Sequence, residues 1–379
     1  MALNLHPLSG SSFPNLIRLF RNHEVEFKYL PKALGCSLIS LSSILDRQLA
    51  RRHFDPQADQ LTFREAPVFI LGHWRSGTTY LHHLMSQDTH FSYVSSYQAW
   101  APELFLQNRP YIRLLVERSL PKRRPFDNVE LSMRKPEEEE FVMSNVTPHS
   151  FIHTFFFPKD TREIFRQSVL FERLSVASKH AWEAQYVRAL KMAALAMGGN
   201  RPLVKSPANT ARISTLLKLF PDAKFIHIYR NPFTVFFSQR HTCLKLIEMW
   251  KFQDISVEEV EDNILLIYKL LMQRYFEDKN LIPSDNLVEL SYEDFQANPI
   301  EKLEEIYAQL EISDFEQVKH RLSSYALSKS SYQKNSYDLD PTLLDKIYSH
   351  WGFTIDRWGY PVSRSNHSEA QVGEGVLSI

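Results

Sequence analysis

The chain has 379 residues, of which 44% are hydrophobic, so it is long enough to bury a sizeable core. Lysine plus arginine and aspartate plus glutamate both number 44, and the net charge of zero excludes a globally basic surface for nucleic acid. Any anion-binding site must therefore be local. Cys36 and Cys243 lack a metal-ligand or disulfide spacing, and residues 1–12 lack the pattern of a secretion signal. We therefore expect a reducing, cytoplasmic location.

The first 64 residues form a predicted helical segment packed on the core. Within it, the apolar stretch at residues 33–45 has about half the length that a membrane-spanning helix requires. We expect this stretch to be a buried core helix. The alternative is peripheral contact of the helix with a membrane surface, because Arg47, Arg51 and Arg52 follow it.

Strands and helices alternate in the rest of the sequence. An apolar run at residues 67–72 predicts a strand, and residues 78–87 predict a helix with its leucines on one face. Residues 91–168 are aromatic and interrupted by prolines, and we expect them to be irregular. The further predicted strands are 202–206, 224–229 and 286–290, and the further predicted helices are 171–197, 210–220, 257–276 and 299–310.

This alternation predicts the fold class. We expect an α/β protein with a P-loop-like parallel sheet flanked by helices on both faces, and with helical N-terminal and mid-chain insertions. Residues 1–64 would form the N-terminal helical segment and residues 65–362 the α/β domain. Residues 363–379 are polar and are expected to form a disordered tail.

The loop between the first predicted strand and the next helix is the most informative motif; residues 72–79 read GHWRSGTT. Gly72 and Gly77 let the backbone wrap an anion, and the helix start points N–H groups and a positive dipole end at it. Arg75 adds a full charge. The alternative is a strand–helix turn without a ligand, but the combination of residues predicts an anion site. The hydroxyl donors of the loop are Ser76, Thr78 and Thr79.

The spacing of the two glycines is that of a Walker A loop, but Thr78 stands where the phosphate-binding lysine would follow. No convincing carboxylate that could hold magnesium ends a neighbouring predicted strand. The loop therefore suits a phosphate that carries a transferable group, bound without a metal. A P-loop kinase or NTPase and a non-catalytic nucleotide-binding protein are the alternative functions.

Residues 75–79, Arg-Ser-Gly-Thr-Thr, resemble the 5′-phosphosulfate loop of sulfotransferases that use 3′-phosphoadenosine-5′-phosphosulfate (PAPS). The resemblance implies a second element that holds the 3′-phosphate, namely a strand ending in arginine with a serine eight residues later. Arg230 and Ser238 match that element. The similarity, to the bacterial and tyrosylprotein branches of the family, covers residues 67–359 and is loose in the middle of the chain.

The resemblance implies transfer of the sulfuryl group of PAPS to a hydroxyl, without a metal and with adenosine 3′,5′-bisphosphate as product. Arg75 is expected to stabilise charge on the bridging and sulfuryl oxygens. Lys205 is similar in position to a catalytic lysine of the tyrosylprotein branch. The residues that the resemblance assigns to the cofactor are Arg75, Ser76, Gly77, Thr78, Thr79, Arg230, Ser238 and Lys334.

The acceptor hydroxyl must also lose a proton, and the sequence offers several candidate bases. Glu140 is preferred because it ends an acidic run beside apolar residues, where partial burial would raise its pKa. The alternative is that these acids start a helix and face water. Glu139, Glu103 and His241 are the other candidate bases, and His241 lies one helical turn after Ser238. The acceptor is expected to be a small apolar or sugar-like molecule, and the sequence specifies neither its identity nor the oligomeric state.

Overall fold

The computed structural model describes residues 5–124, 126–127, 129–198, 201–312, 315–329 and 340–362. Lys334 and the expected tail at residues 363–379 lie outside the described residues. No helix within the described ranges combines the length and the apolar character needed to cross a membrane.

A parallel sheet lies at the centre of the fold. Its strands are β1 (Val68–Leu71), β2 (Phe91–Ser92), β3 (Arg201–Lys205), β4 (Lys224–Tyr229) and β5 (Leu287–Ser291). Their spatial order is β2-β3-β1-β4-β5, so β1 is the middle strand. Phe69 of β1 is level with Val204 of β3 and with Phe225 of β4. The predicted α/β class with a parallel sheet is confirmed, although β2 falls in a stretch that we expected to be irregular.

Helices surround the sheet and fill both insertions. The mid-chain stretch at residues 91–168 is more ordered than expected, because a proline such as Pro110 begins a helix there instead of breaking one. The helices are α1 (Phe13–Asn22), α2 (Leu30–Ser42), α3 (Ile44–Gln60), α4 (Thr78–Met85), α5 (Ser96–Trp100), α6 (Pro110–Ser119), α7 (Glu139–Val146), α8 (Thr161–Ser168), α9 (Val176–Met197), α10 (Ile213–Leu219), α11 (Pro232–Trp250), α12 (Val257–Asp278), α13 (Tyr292–Ala297), α14 (Pro299–Gln309), α15 (Phe315–Ser328) and α16 (Pro341–Arg357).

The middle strand is buried on both faces. Phe69 and Leu71 belong to one hydrophobic cluster, which also contains Leu16 of α1, while Val68 and Ile70 belong to a second cluster. All four strand residues have no exposed surface. Alternate side chains of β1 therefore face two separate layers, as expected for a parallel sheet covered by helices on both sides.

Helix α2 is not the buried core helix that its composition predicted. The residues it buries are small, namely Ala33, Cys36 and Ser40. Leu34 and Leu38 are 60% and 58% exposed. The prediction was wrong because a count of apolar residues does not show which face of the helix they occupy.

Candidate active site

Three neighbouring strands end at the same edge of the sheet, and the candidate site lies there. Strand β1 leads into the glycine loop, β3 ends at Lys205, and β4 is followed by Arg230. Ligands of open parallel sheets bind outside the carboxyl ends of the strands, where neighbouring connections diverge. The sheet order thus brings Arg75 and Arg230 together although they are 155 positions apart in the sequence.

The loop after β1 wraps tightly because its two glycines adopt positive φ angles, 136° at Gly72 and 97° at Gly77. A Cβ atom at Gly72 would lie 2.3 Å from the carbonyl oxygen of Ile228. One at Gly77 would lie 2.1 Å from Cδ2 of Tyr292. The loop therefore has room for backbone alone at both positions, and it opens directly onto the N-terminus of α4.

The hydroxyl groups of the loop do not all have the same role. Ser76 donates its Oγ hydrogen to the carbonyl oxygen of His73 at 2.7 Å, so this hydroxyl helps to close the loop. Thr78 and Thr79, in the first turn of α4, line a cavity beside the loop. The two threonines are therefore better placed than Ser76 to contact a bound molecule with their hydroxyls.

The predicted phosphate-binding residues lie together around Arg75. Its Nε donates to Oγ of Ser238 at 2.9 Å, and its Nη1 donates to Oδ2 of Asp127 at 2.8 Å. The guanidinium of Arg230 lies 4.6 Å from the ring centroid of Tyr292, and its Nη1 lies 3.5 Å from the carbonyl oxygen of Arg75. Two guanidinium groups and one serine hydroxyl therefore lie next to the glycine loop.

Lys205 forms an ion pair with Glu138, in which Nζ lies 2.6 Å from Oε1. The exposed fraction is 1% for the lysine side chain and 13% for the glutamate side chain. Nζ also lies 3.4 Å from Oγ1 of Thr79. Burial raises the pKa of Glu138, and the adjacent positive charge of Lys205 opposes that shift. The site thus contains a carboxylate with increased proton affinity beside a cation.

Glu139 points into a buried polar cluster. Tyr186 donates its hydroxyl hydrogen to Oε1 of Glu139 at 3.0 Å, and Nδ2 of Asn209 donates to the same oxygen at 2.6 Å. Burial, and then the negative charge of Glu140, raise the pKa of Glu139 to about 7. The carboxyl is held by residues of the core, and it does not line the cavity.

Glu140, the preferred base from the sequence, is fully engaged in the core. Its Oε2 lies 2.7 Å from Nη1 of Arg212, and neither side chain is more than 1% exposed. Its Oε1 accepts the N–H of Phe151 at 2.7 Å. The expectation of burial was correct, but the structure places this carboxylate outside the cavity and gives it structural partners.

The other two candidate bases also lie apart from the Lys205–Glu138 pair. Glu103 is paired with Arg47 at 2.6 Å, and its side chain is only 2% exposed. His241 lines a separate surface hollow together with Lys245. Partial burial, followed by the positive charges of Lys245 and Arg75, lowers the pKa of His241.

A cavity of about 400 Å³ opens beside the glycine loop. Its polar lining includes Arg75, Thr79 and Glu138, together with Lys32, Arg124 and Glu137. Such a cavity accommodates an apolar molecule with one polar group directed at Glu138. The remaining walls are mainly apolar and include Trp74, Trp100, Phe141, Ile152, Phe155 and Leu246.

Comparison with known proteins identifies the family of this chain. A family model described as "Sulfotransferase family" matches residues 67–317. The chain belongs to the sulfotransferase family. It is 31% identical over 310 residues to the omega-hydroxy-beta-dihydromenaquinone-9 sulfotransferase Stf3 of Mycobacterium bovis and of Mycobacterium tuberculosis, with 81% of this chain and 78% of those proteins covered. The predicted resemblance to the sulfotransferase family is therefore confirmed.

The fold of this sulfotransferase is also similar to solved structures. The crystal structure of sulfotransferase STF1 from Mycobacterium tuberculosis matches with a TM-score of 0.65 and 16% identity, covering 89% of this chain and 90% of that one. The crystal structure of sulfotransferase STF9 from Mycobacterium avium matches with a TM-score of 0.66 and 16% identity, covering 90% and 89%. At such low identity these two similarities establish the fold alone.

Two side chains of the candidate site, Glu138 and Asp127, were not singled out from the sequence. Glu138 is the residue before α7, whereas Glu139 and Glu140 lie in its first turn. The start of the helix was therefore a usable signal that the three acids point in different directions. Asp127 lies in the connection between α6 and α7, and no local pattern marks it as a partner of Arg75.

Proposed function

We propose that the enzyme transfers the sulfuryl group of PAPS to the hydroxyl of an apolar, lipid-like alcohol, in an in-line reaction that needs no metal ion. The observation that carries the proposal is the position of the Lys205–Glu138 pair beside the glycine loop, with Glu138 facing the apolar cavity. The Stf3 relatives support it, because they are named for omega-hydroxy-beta-dihydromenaquinone-9, a hydroxyl-bearing compound.

The residues around the loop fit the two anionic ends of PAPS. At Gly77 the loop has no room for a side chain, and α4 begins there, so N–H groups and the positive dipole end face an anion. Arg75 would bind the phosphosulfate, while Arg230 and Ser238 would hold the 3′-phosphate. When bound, PAPS supplies an electrophilic sulfur and a phosphate leaving group. The contact of Lys334 with the 3′-phosphate stays a prediction.

Glu138 acts as the proton acceptor in this proposal. As the acceptor oxygen forms its bond to sulfur, the bond from sulfur to the bridging phosphate oxygen breaks, and the hydroxyl proton passes to Glu138. Its raised pKa makes it a stronger base than an exposed glutamate. Lys205 and Arg75 stabilise the negative charge that develops on the sulfuryl and bridging oxygens.

Donor binding and turnover test the proposal together. Thermal unfolding is measured with PAPS, with adenosine 3′,5′-bisphosphate and with Mg-ATP, since a ligand of the native state raises Tm. We expect stabilisation by the first two ligands, and transfer of label from radiolabelled PAPS to a long-chain alcohol in the presence of EDTA. The Arg230→Gln variant serves as the binding control and should lose most of the stabilisation by the bisphosphate.

Each alternative function gives a different result in the same experiment. Stabilisation by Mg-ATP without stabilisation by PAPS would overturn the proposal in favour of a P-loop kinase or NTPase. Stabilisation by PAPS without transfer to any alcohol would indicate a nucleotide-binding protein without catalytic activity. Loss of transfer on addition of EDTA would contradict metal independence.

A further inference from the structure

A row of exposed leucines runs along helices α2 and α3. The leucines are three or four residues apart, which places them on one helical face. Ser43 alone separates the two helices, and the spacing continues across it. The exposed fraction ranges from 41% at Leu41 to 73% at Leu45. We call this row the leucine ridge, and its members are Leu30, Leu34, Leu38, Leu41, Leu45 and Leu49.

The leucine ridge reverses the usual arrangement of a surface helix. Small side chains such as Ala33 and Ser40 face the protein, while the largest apolar side chains of α2 face outward. Phe27, which precedes α2 in the chain, is 88% exposed as well. A group of large exposed apolar side chains on one helical face marks a surface that another apolar body covers.

The leucine ridge shares helix α2 with the proposed acceptor cavity. Lys32, which lies between the first two ridge leucines in the sequence, is one of the residues that line this cavity. Met249, 45% exposed, lines it as well. The same cavity extends to Arg75 and Glu138. It therefore connects the α2 side of the molecule with the site of proton transfer.

The charges around the ridge suit an apolar medium. Residues 27–45 contain no aspartate or glutamate, and their charged side chains are Lys28 and Lys32 alone. Asp46, the one acidic residue between Leu30 and Leu49, is paired with Arg109, and its side chain is 20% exposed. Insertion of this segment therefore does not require an acidic group to lose water. The composition also differs from that of protein-binding surfaces, whose strongest contacts come from tryptophan, tyrosine and arginine and seldom from leucine.

Electrostatic attraction is not the main term in the binding of the leucine ridge to an apolar medium. Of the three arginines that the sequence suggested as a basic flank for a membrane helix, Arg47 and Arg51 both donate to Glu103, and Arg52 is exposed. Lys28 is paired with Asp254. The buried apolar area of the leucines is therefore the term that drives binding, and binding should depend only weakly on salt.

We propose that the leucine ridge docks this protein on a lipid bilayer, with α2 and α3 lying in the interfacial plane. Docking brings the α2 side of the cavity to the membrane, so that a membrane-dissolved alcohol enters the cavity without crossing water. Entry of the alcohol from the membrane rests on the proposed function, whereas the docking itself does not.

Flotation of the full chain with phosphatidylcholine vesicles, at low and at high salt, tests the docking. The ridge variant is Leu34→Ser/Leu38→Ser/Leu45→Ser. The matched control is Leu114→Ser/Leu281→Ser/Leu327→Ser, which removes three exposed leucines elsewhere. We expect wild type and control to float with the vesicles at both salt concentrations. The ridge variant should partition at least about tenfold more weakly, because less apolar area is buried.

A labelled single-site variant keeps the test decisive if the triple ridge variant fails to fold. Leu38→Cys is labelled with an environment-sensitive fluorophore, since Cys36 and Cys243 are both buried. We expect its emission to shift to the blue on addition of vesicles, while the same label at Leu281→Cys does not respond. No response at position 38 would overturn the docking proposal.

Two further outcomes would also contradict the docking proposal. Equal flotation of the ridge variant and wild type would show that another surface binds the lipid. A wild-type dimer that the ridge substitutions convert to a monomer, measured by light scattering without lipid, would show that the ridge binds a second copy of the chain.

The effect of membrane docking on sulfuryl transfer is measured in a separate assay. With a water-soluble alcohol as acceptor, the ridge variant should match wild type, whereas with a vesicle-dissolved alcohol it should be slower in proportion to its loss of flotation. Equal rates of the ridge variant and wild type on the vesicle-dissolved alcohol would overturn the proposal that the alcohol enters the cavity from the membrane. Absence of sulfuryl transfer by wild type on both alcohols would contradict the proposed function and leave the docking result intact.

Discussion

Glu138 and Glu140 are two positions apart, yet their side chains have different partners. Glu138 pairs with Lys205 and lines the cavity, whereas Glu140 pairs with Arg212 and is enclosed by the core. The difference arises because one residue precedes α7 and the other lies in its first turn. Substitution of each by glutamine should therefore affect different properties of the enzyme.

We expect Glu138→Gln to lower kcat by about 10²- to 10⁴-fold, the usual contribution of a positioned proton acceptor. The wild-type rate should decline as pH falls through the raised pKa of Glu138, because the base acts in its ionised form, and the variant should lack this decline. Stabilisation by adenosine 3′,5′-bisphosphate should persist. Initial rates over a pH series and melting curves measure both effects, and an unchanged kcat would show that another group takes the proton.

Glu140→Gln is the comparison for that variant. Removal of one partner of a buried ion pair leaves Arg212 without its counter-charge and costs about 3–5 kcal/mol of the free energy of unfolding. We expect a lower Tm with a retained kcat per folded molecule. A variant with wild-type Tm and a large loss of kcat would restore Glu140 as the candidate base.

Glu139 should make the stability of the protein depend on pH. Its Oε2 is buried without a hydrogen-bond partner in the part of the chain that the structure describes, and the pKa of the carboxyl is raised from 4.5 to about 7. Between these pH values the folded chain retains a proton that the unfolded chain releases. The free energy of unfolding should therefore fall as pH rises through this range and level off above it.

The Glu139→Gln variant should remove that part of the pH dependence, because a neutral amide has no proton to release. Urea unfolding across the range from about pH 5 to about pH 8 measures the slope for wild type and variant. Parallel curves for the two proteins would show that Glu139 is ionised throughout.

Among the secondary-structure elements, the long and regularly patterned ones were predicted well. The helix predicted at residues 257–276 is observed at Val257–Asp278, and the strand predicted at 224–229 is observed at Lys224–Tyr229. Strand β2 was missed because two residues form a strand only through pairing with the distant β3. The mid-chain helices α5, α6 and α8 were missed for a related reason, since each is short and is stabilised mainly by packing. Helix α7 was anticipated only in the alternative that the acidic run starts a helix.

Gly77→Ala tests the junction of the glycine loop and α4. The new Cβ would meet the ring of Tyr292 at 2.1 Å, and alanine would also have to adopt a φ angle of 97°. The loop must therefore shift away from the ring. We expect the bisphosphate to lose its effect on Tm and the KM for PAPS to rise by at least about tenfold, given the close approach of backbone and anion in such loops.

Gly198→Ala is the matched control for that substitution. Gly198 has a similar φ of 90°, but no described atom lies within 4 Å of its added Cβ. The control should show a comparable backbone cost, about 1–2 kcal/mol, with unchanged donor binding. If both variants lost donor binding equally, overall strain and not the shape of the loop would be the cause.

At the scale of the whole molecule, a local sequence pattern can indicate some contacts of the candidate site but not others. Arg75, Arg230 and Ser238 could be grouped from the sequence because the family resemblance implies both of the motifs that contain them. The pairs Lys205–Glu138 and Arg75–Asp127 join segments that are far apart in the chain, and they follow from the sheet order and from the path of the mid-chain helices. A single sequence does not encode those paths as a recurring pattern, so the partners of Lys205 and Arg75 could be identified only from the structure.

The N-terminal helices share the core of the whole molecule, so we expect that the α/β region does not fold without them. Leu8, Leu16 and Leu19 have no exposed surface, and they belong to the same cluster as Phe69 of the middle strand. Burial of each leucine contributes about 1.5–3 kcal/mol, so the three together approach the 5–15 kcal/mol that stabilises a typical protein. Deletion of residues 1–61 should abolish the cooperative thermal transition measured by circular dichroism and increase the binding of an apolar dye. A cooperative transition near the wild-type Tm would show instead that the α/β region folds independently.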